Sequence, residues 1–367
     1  MADSADHPIE ITRLPHPAPV PGATRAEAIA DPGFGKVFTD HMVTIEWDED
    51  RGWHSATLGP RGPLSLDPAC AVLHYAQEIF EGLKAYRLAD GTMALFRPEQ
   101  NARRFNHSAD RLAMPHVPED VFVEAIRQLV LADRDWFPTV EGGSLYVRPF
   151  MIATEAFLGV RPAKQYKFLV IVSAAGNYFK SGAPAVSIWV SQDYTRAAPG
   201  GTGAAKCGGN YAASLVPHAN AVRRGHDQVC FLDAAEHRWV EELGGMNLFF
   251  VLDDGTLITP PLTGTILPGI TRDSLITLAR EDGLTVVEER YAIDQWRADA
   301  ESGRLTEAFA CGTAAVVTAI GKVASRDGEF IVGSGGTGQT TQRLRDKLVA
   351  IQRGTAEDKH GWVMRLD

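Results

Sequence analysis

The stretch Gly200-Gly201-Thr202-Gly203-Ala204-Ala205-Lys206-Cys207-Gly208-Gly209-Asn210-Tyr211 decides how the rest of the chain is read. One lysine sits between two glycine clusters, and a tyrosine follows five residues on. Glycine opens the positive-φ region and lets a ligand approach the backbone. A lysine held in such a loop is partly desolvated, and its amine becomes a nucleophile toward a carbonyl carbon. A nucleotide phosphate loop is one rival, but that pattern needs glycine directly before the lysine and a hydroxyl directly after it. Ala205 and Cys207 fail both positions. The plain alternative is a glycine-rich surface loop with a solvated lysine, and these residues alone do not exclude it.

The loop belongs to a chain of 367 residues, 45% hydrophobic and 22% charged, which is long enough for two domains with a buried core. A net charge of −10, from 36 basic and 46 acidic residues, argues against a nucleic-acid or membrane-surface partner, because those take a basic face. No apolar run approaches the ~18 residues of a membrane span. The opening residues MADSADHPIE contain no apolar signal-peptide region. Cys70, Cys207, Cys230 and Cys311 form neither a C-x-x-C pair nor zinc spacing. The expectation is a cytoplasmic protein with reduced thiols and no metal.

Periodicity and punctuation give a coarse map. Pro8, Pro15, Pro17, Pro19 and Pro21 predict a mobile arm over 1–30. Residues 71–87 begin helix-like, with Tyr75, Ile79 and Leu83 at a spacing of four, and resume as strand after Gly82. Helices are expected over 99–114 and 119–136, then strands over 144–153 and 166–174. The stretch GNYFKSGAP, 176–184, loses periodicity and marks a domain boundary. The expected division is 31–178 as a small N-terminal domain, 179–190 as a connection, and 191–367 as a larger C-terminal domain. In that second part a helix is expected over 212–224, with Pro217 inside it, and strands over 229–232, 239–241 and 247–252. Another helix opens at Pro268-Gly269-Ile270-Thr271. Strands outnumber helices and many neighbours are hairpin-linked, so the fold class is α+β.

If Lys206 carries pyridoxal 5′-phosphate (PLP), four further parts are needed. The phosphate needs a helix N-terminus, which Ile270 and Thr271 offer, with the Gly312-Thr313-Ala314 turn as a second source. Thr271 is equally readable as an ordinary helix cap. The phosphate also needs a cation, for which Arg104, Arg111 and Arg148 are candidates. The ring nitrogen needs a carboxylate, and Glu241 and Glu242 stand next to each other before a glycine pair. Neighbours on a strand face opposite ways, so only one can face the ring, and spacing does not say which. The ring oxygen needs a donor near the lysine, which Tyr211 supplies by proximity.

The segments FGKVFTDHM (34–42), IFEGLKAYR (79–87), LYVRPF (145–150), GGTGAAKCGGNY (200–211), EELGGMN (241–247), LPGITRDSL (267–275) and FACGTAA (309–315) together resemble the fold-type IV PLP enzymes. Within them they resemble the branched-chain amino-acid aminotransferases, from about Phe34 to Gln352-Arg353-Gly354. The resemblance implies a two-domain α+β fold like that of D-amino-acid aminotransferase, with a small N-terminal α/β domain and a larger mixed-β domain with helices. It implies PLP bound to Lys206 as a Schiff base, with Lys206 also moving the substrate proton. Glu242 then partners the ring nitrogen, Tyr211 the ring oxygen, and Leu267 packs on the ring. Arg104, Ile270, Thr271 and Thr313 take the phosphate. Phe34, Tyr75, Phe80, Tyr146, Arg148, Gly245, Ala314 and Ala315 line the substrate site. Leu158-Gly159-Val160 matches a loop that closes the pocket of a second subunit, which implies a homodimer. Where some members carry a C-x-x-C after G-T-A, this chain has Ala315-Val316-Val317-Thr318, so that redox pair is missing. The implied reaction moves the amino group of L-leucine, L-isoleucine or L-valine to 2-oxoglutarate. A D-amino-acid aminotransferase or an aminodeoxychorismate lyase would use the same lysine and glutamate.

Overall fold

The computed structural model describes residues 9–176 and 185–366. The chain forms two compact units: Met1–Tyr178 with Gln352–Asp367, and Phe179–Ile351. Each is built on a nine-stranded sheet of mostly antiparallel neighbours, which makes the fold mixed α+β.

In the first unit the long strands Val37–Asp48, Ser144–Ala153 and Gln165–Ala175 lie side by side. Strand alternation sorts their side chains. Leu145, Val147 and Met151 are fully buried, while Tyr146 and Arg148 between them are half-buried on the other face. The helices Pro98–Arg111 and Glu119–Ala132 cover the apolar face, and the Phe105, Phe122 and Phe168 rings meet there at 5.3–5.7 Å. Proline starts both helices: Pro98 is the first residue of one, and Pro118 caps the other.

The second unit's sheet turns back on itself. Six strands follow one another as Val240–Leu243, Gln228–Leu232, Val186–Ser191, Val316–Ser325, Leu305–Gly312 and Asn247–Leu252. The last of these pairs with the first again, through Glu242 opposite Asn247. The ring therefore closes at Glu242. Phe250, Tyr291 and Trp296 fill its core, with ring centroids 4.5 and 4.8 Å from Phe250.

Several expectations need correction. The first part of the expected arm lies outside the described residues, and the rest, 9–30, is not an arm: Thr12–Arg13 pairs in parallel with the Gly52–Pro60 strand, and Gly22–Ala30 is a helix. The prolines stop at Pro21, which is the helix N-cap, and the alanine-rich stretch beyond it is free of proline. Ile11 and Ile29 are buried, so this segment packs. Residues 352–367 do not belong with the second unit, because Val363–Leu366 pairs antiparallel with Met93–Phe96. The spacing of Tyr75, Ile79 and Leu83 does not make one helix. Ala76 is in the left-handed region and ends the Ala71–Tyr75 helix, and Glu78–Phe80 is already strand. The expected connection 179–190 lies partly outside the described residues, and its end is the Val186–Ser191 strand. The lysine-loop helix starts earlier than expected, as Gly208–Arg223.

Candidate active site

Lys206 stands just ahead of that helix, and Cys207 is its extended N-cap. Tyr211 is one turn in, so the two side chains meet. The Lys206 Nζ donates to the Tyr211 hydroxyl at 2.9 Å. The loop is stitched to the helix's first turn by Asn210, whose Nδ2 donates to the Thr202 and Ala205 carbonyls at 2.8 Å each. Gly203 is required for closeness, since a Cβ there would fall 2.4 Å from the Thr265 carbonyl oxygen.

Glu242 is 3% exposed. Its Oε1 is ion-paired with the Arg196 Nη2 at 2.5 Å and accepts the Leu267 backbone N–H at 3.1 Å. Among the described residues its Oε2 accepts one hydrogen bond, from Asn247 Nδ2 at 3.5 Å. Burial pushes the Glu242 carboxyl up to about 7, against the opposing charges of Arg196 and Lys206. Asn247 also donates to the Leu267 carbonyl at 3.0 Å. A Cβ on Gly269 would collide with Asn247 Oδ1 at 2.0 Å, so only glycine fits there. Gly269 begins the Ile270–Glu281 helix with no side-chain cap, and Thr271 is buried in its first turn. First-turn N–H groups have no partner within a helix, and together with the helix dipole they favour an anion. Thr313, Ala314 and Ala315 form the turn between Leu305–Gly312 and Val316–Ser325, and Ala315 packs on the core. A Cβ on Gly245 would lie 3.6 Å from the Tyr211 ring.

The second unit thus brings together Lys206, Tyr211, Glu242, Gly245 and Leu267, with Ile270 and Thr271 heading the following helix. The first unit gathers another group. The Phe34 and Tyr146 rings are 4.9 Å apart. Arg148 donates to the Tyr146 hydroxyl at 3.1 Å and lies 4.8 Å from the Phe80 ring centroid. A Cβ on Gly82 would fall 2.2 Å from the Tyr146 hydroxyl, so Gly82 makes room for that tyrosine. Arg104 is buried against Glu81, its Nε and Nη2 donating at 2.7 and 2.8 Å. Tyr75 ends a short helix beside His74, and Leu158 and Val160 are 70% and 91% exposed on a loop.

The sequence profile described as Amino-transferase class IV matches residues 78–323. The chain belongs to the class IV aminotransferases. A probable branched-chain-amino-acid aminotransferase of Streptomyces coelicolor is 58% identical over 353 residues, 96% of this chain and 97% of that one. The crystal structure of the Escherichia coli branched-chain amino acid aminotransferase superposes with a TM-score of 0.74 at 30% identity, covering 89% of this chain and 99% of that one. A branched-chain amino acid aminotransferase from T.th., solved with pyridoxamine 5′-phosphate, gives 0.73 at 29% identity, covering 88% and 98%.

In this class IV aminotransferase the sequence reading missed Arg196. It is 7% exposed, pairs with Glu242, and donates from Nη2 to the Gly203 and Thr265 carbonyls at 2.8 Å each. It lies ten residues before Lys206 in no motif, and its partners are distant in sequence, so no local pattern marks it. Glu241 is buried as well as Glu242, because both faces of the Val240–Leu243 strand are covered. Among the described residues no cluster of three or more His, Cys, Asp or Glu could hold a metal, and no helix is long and apolar enough to cross a membrane. All four cysteines are buried and free.

Proposed function

We propose that this class IV aminotransferase uses PLP on Lys206 to transfer the amino group of L-leucine, L-isoleucine and L-valine to 2-oxoglutarate, giving the 2-oxo acids and L-glutamate. The observation that carries the reading is Glu242. It is a buried carboxyl with one oxygen bound by Arg196 and the other barely engaged, beside a lysine–tyrosine pair and an uncapped helix start. That donor set fits the ring nitrogen, the ring oxygen and the phosphate of PLP. The substrate class follows the relative at 58% identity.

PLP, when bound, supplies the electron sink that acidifies the substrate's α-carbon and stores the amino group between half-reactions. The chain's residues do the rest. The Lys206 amine moves the proton to and from the α-carbon. Tyr211 orients that amine through their hydrogen bond, and Glu242 holds the proton at the ring nitrogen. Arg104, Ile270, Thr271 and Thr313 are assigned to the phosphate, and Leu267 to the ring face. Phe34, Tyr75, Phe80, Gly245, Ala314 and Ala315 are assigned to the branched side chain, whose burial contributes about 1.5–3 kcal/mol. Tyr146 and Arg148 are assigned to the carboxylate of 2-oxoglutarate. Arg148 has a buried Nε with no hydrogen-bond partner among the described residues, which a carboxylate would satisfy. The protein acts as a cytoplasmic homodimer in which Leu158 and Val160 cover the partner's pocket.

The test is spectroscopic. L-leucine should bleach the visible absorbance of the PLP-loaded protein, and 2-oxoglutarate should restore it. Lys206→Ala should abolish the cycle. Arg148→Ala should weaken the apparent affinity for 2-oxoglutarate more than that for leucine. Absence of a visible band after PLP is added would overturn the cofactor assignment, and a response to D-alanine but not L-leucine would overturn the substrate.

A further inference from the structure

Beside Glu242 lies a second buried carboxyl that this chemistry does not use. Glu241 is 7% exposed on the same strand. Its Oε1 accepts the Thr265 hydroxyl at 2.5 Å, and its Oε2 is buried with no hydrogen-bond partner among the described residues. Thr265 also reaches Arg196, because its carbonyl accepts the Arg196 Nη2 at 2.8 Å. The same guanidinium holds Glu242 at 2.5 Å, and its own Nε is buried without a hydrogen-bond partner among the described residues. One cation therefore serves two buried carboxyls, one directly and one through Thr265. A single positive charge cannot neutralise two negative ones in a dry interior, so the two glutamates compete for it and titrate as a coupled pair.

We propose that Glu241 is a positioning residue that, by sharing Arg196 with Glu242 through Thr265, sets how tightly Glu242 holds the proton it presents to the ring nitrogen. The inference rests on the PLP reading above. The charged and titratable groups that act on Glu241 are Arg196, Glu242, Asp233, Arg290 and Cys230. Burial holds the Cys230 thiol far above its usual range, so it stays neutral. Asp233 is fully engaged by four backbone N–H groups, and the Arg290 side chain is more than half exposed, so it is screened. Arg196 and Glu242 remain as the two groups that respond. Burial raises the Glu241 carboxyl, and the Thr265 hydroxyl opposes that by donating to its ionised form. When Glu241 is ionised it draws on the field of Arg196, and Glu242 keeps its proton to higher pH. When Glu241 is neutral, Arg196 acts on Glu242 alone.

Two variants separate the effect from structural damage. Glu241→Gln removes the second negative charge and keeps the shape. Thr265→Val removes the hydroxyl and keeps the carbonyl on Arg196. Carboxyl protonation is followed by infrared difference titration of the cofactor-free protein, with Glu242→Gln to assign the band. The visible band of the PLP-loaded protein is titrated in parallel. The expected result is a Glu242 titration lowered by about one pH unit in Glu241→Gln, the effect of one like charge beside a buried carboxylate. Thr265→Val should shift it the same way by less. Superposable Glu242 titrations in wild type and Glu241→Gln would overturn the inference, whatever happens to the melting temperature. If Glu241→Gln does not fold, an unshifted Thr265→Val overturns it instead. A wild type that gives no visible band with PLP fails the cofactor reading, and the infrared comparison still decides the coupling.

Discussion

Each unit buries an arginine–glutamate pair, and the two pairs are built differently. In the first unit Arg104 meets Glu81 fork to fork at 2.7 and 2.8 Å, and Glu81 Oε2 also accepts Asn101 Nδ2 at 2.7 Å and the Gly82 N–H at 3.1 Å. Both carboxylate oxygens are used. In the second unit the Arg196 Nη2 pairs with Oε1 of Glu242 and donates to two carbonyls. Among the described residues the one hydrogen bond to the other oxygen, Oε2, is the 3.5 Å contact from Asn247. A closed pair holds a fold, because its charges satisfy each other. A half-open pair keeps a carboxylate oriented and still able to take another partner. Two of the Arg104 nitrogens are thereby turned to Glu81.

The sharpest test is Glu81→Ala. Removing one side of a closed buried pair should cost about 3–5 kcal/mol of stability, read as a shift of the urea unfolding midpoint. An unchanged midpoint would break the comparison from the structural side. Glu242→Gln comes next. It should lower kcat by about 100- to 1,000-fold, the cost of losing one preorganised electrostatic partner, with a smaller change in the unfolding midpoint than Glu81→Ala. If it unfolded the protein and spared turnover in the folded fraction, the two roles would be reversed.

The third test uses pH. Burial raises Glu242 from 4.5 to about 7 in the folded, cofactor-free protein. Between those values the folded state holds a proton that the unfolded chain releases. This group's contribution to stability is therefore fully present below about pH 4.5 and lost as pH rises toward 7. The change is about 3 kcal/mol at most. Unfolding free energies of wild type and Glu242→Gln measured across that window should differ in slope, and equal slopes would count against a raised Glu242.

How much of this was legible in the sequence varies with the distance over which each feature is encoded. Lys206 and Tyr211 were readable because a loop, a helix start and a five-residue spacing are local. The strand carrying Tyr146 and Arg148 was readable from its composition, whereas their assignment to the substrate came only from the family resemblance. Glu242 was half readable: the adjacent carboxylates were visible, but the rule that strand neighbours face opposite ways left the choice open. It also hid that both would be buried, since a closed ring of strands covers both faces. Arg196 was not readable at all, because Thr265 lies 69 residues from it. The proline count misled at 1–30 because five prolines ending at Pro21 say nothing about the alanine-rich helix that follows.

The edge strand Val363–Leu366 belongs to the sheet that begins near the other end of the chain. Protein synthesis runs from one end to the other, so the two sheets are not completed in the order in which they start. Every strand of the second unit has been translated by Ile331, while the first sheet still waits for its last ladder partner. During that interval Met93–Phe96 presents an unpaired strand edge, the feature most prone to wrong pairing on the ribosome. The first sheet thus stays open along one edge until Val363–Leu366 has been made.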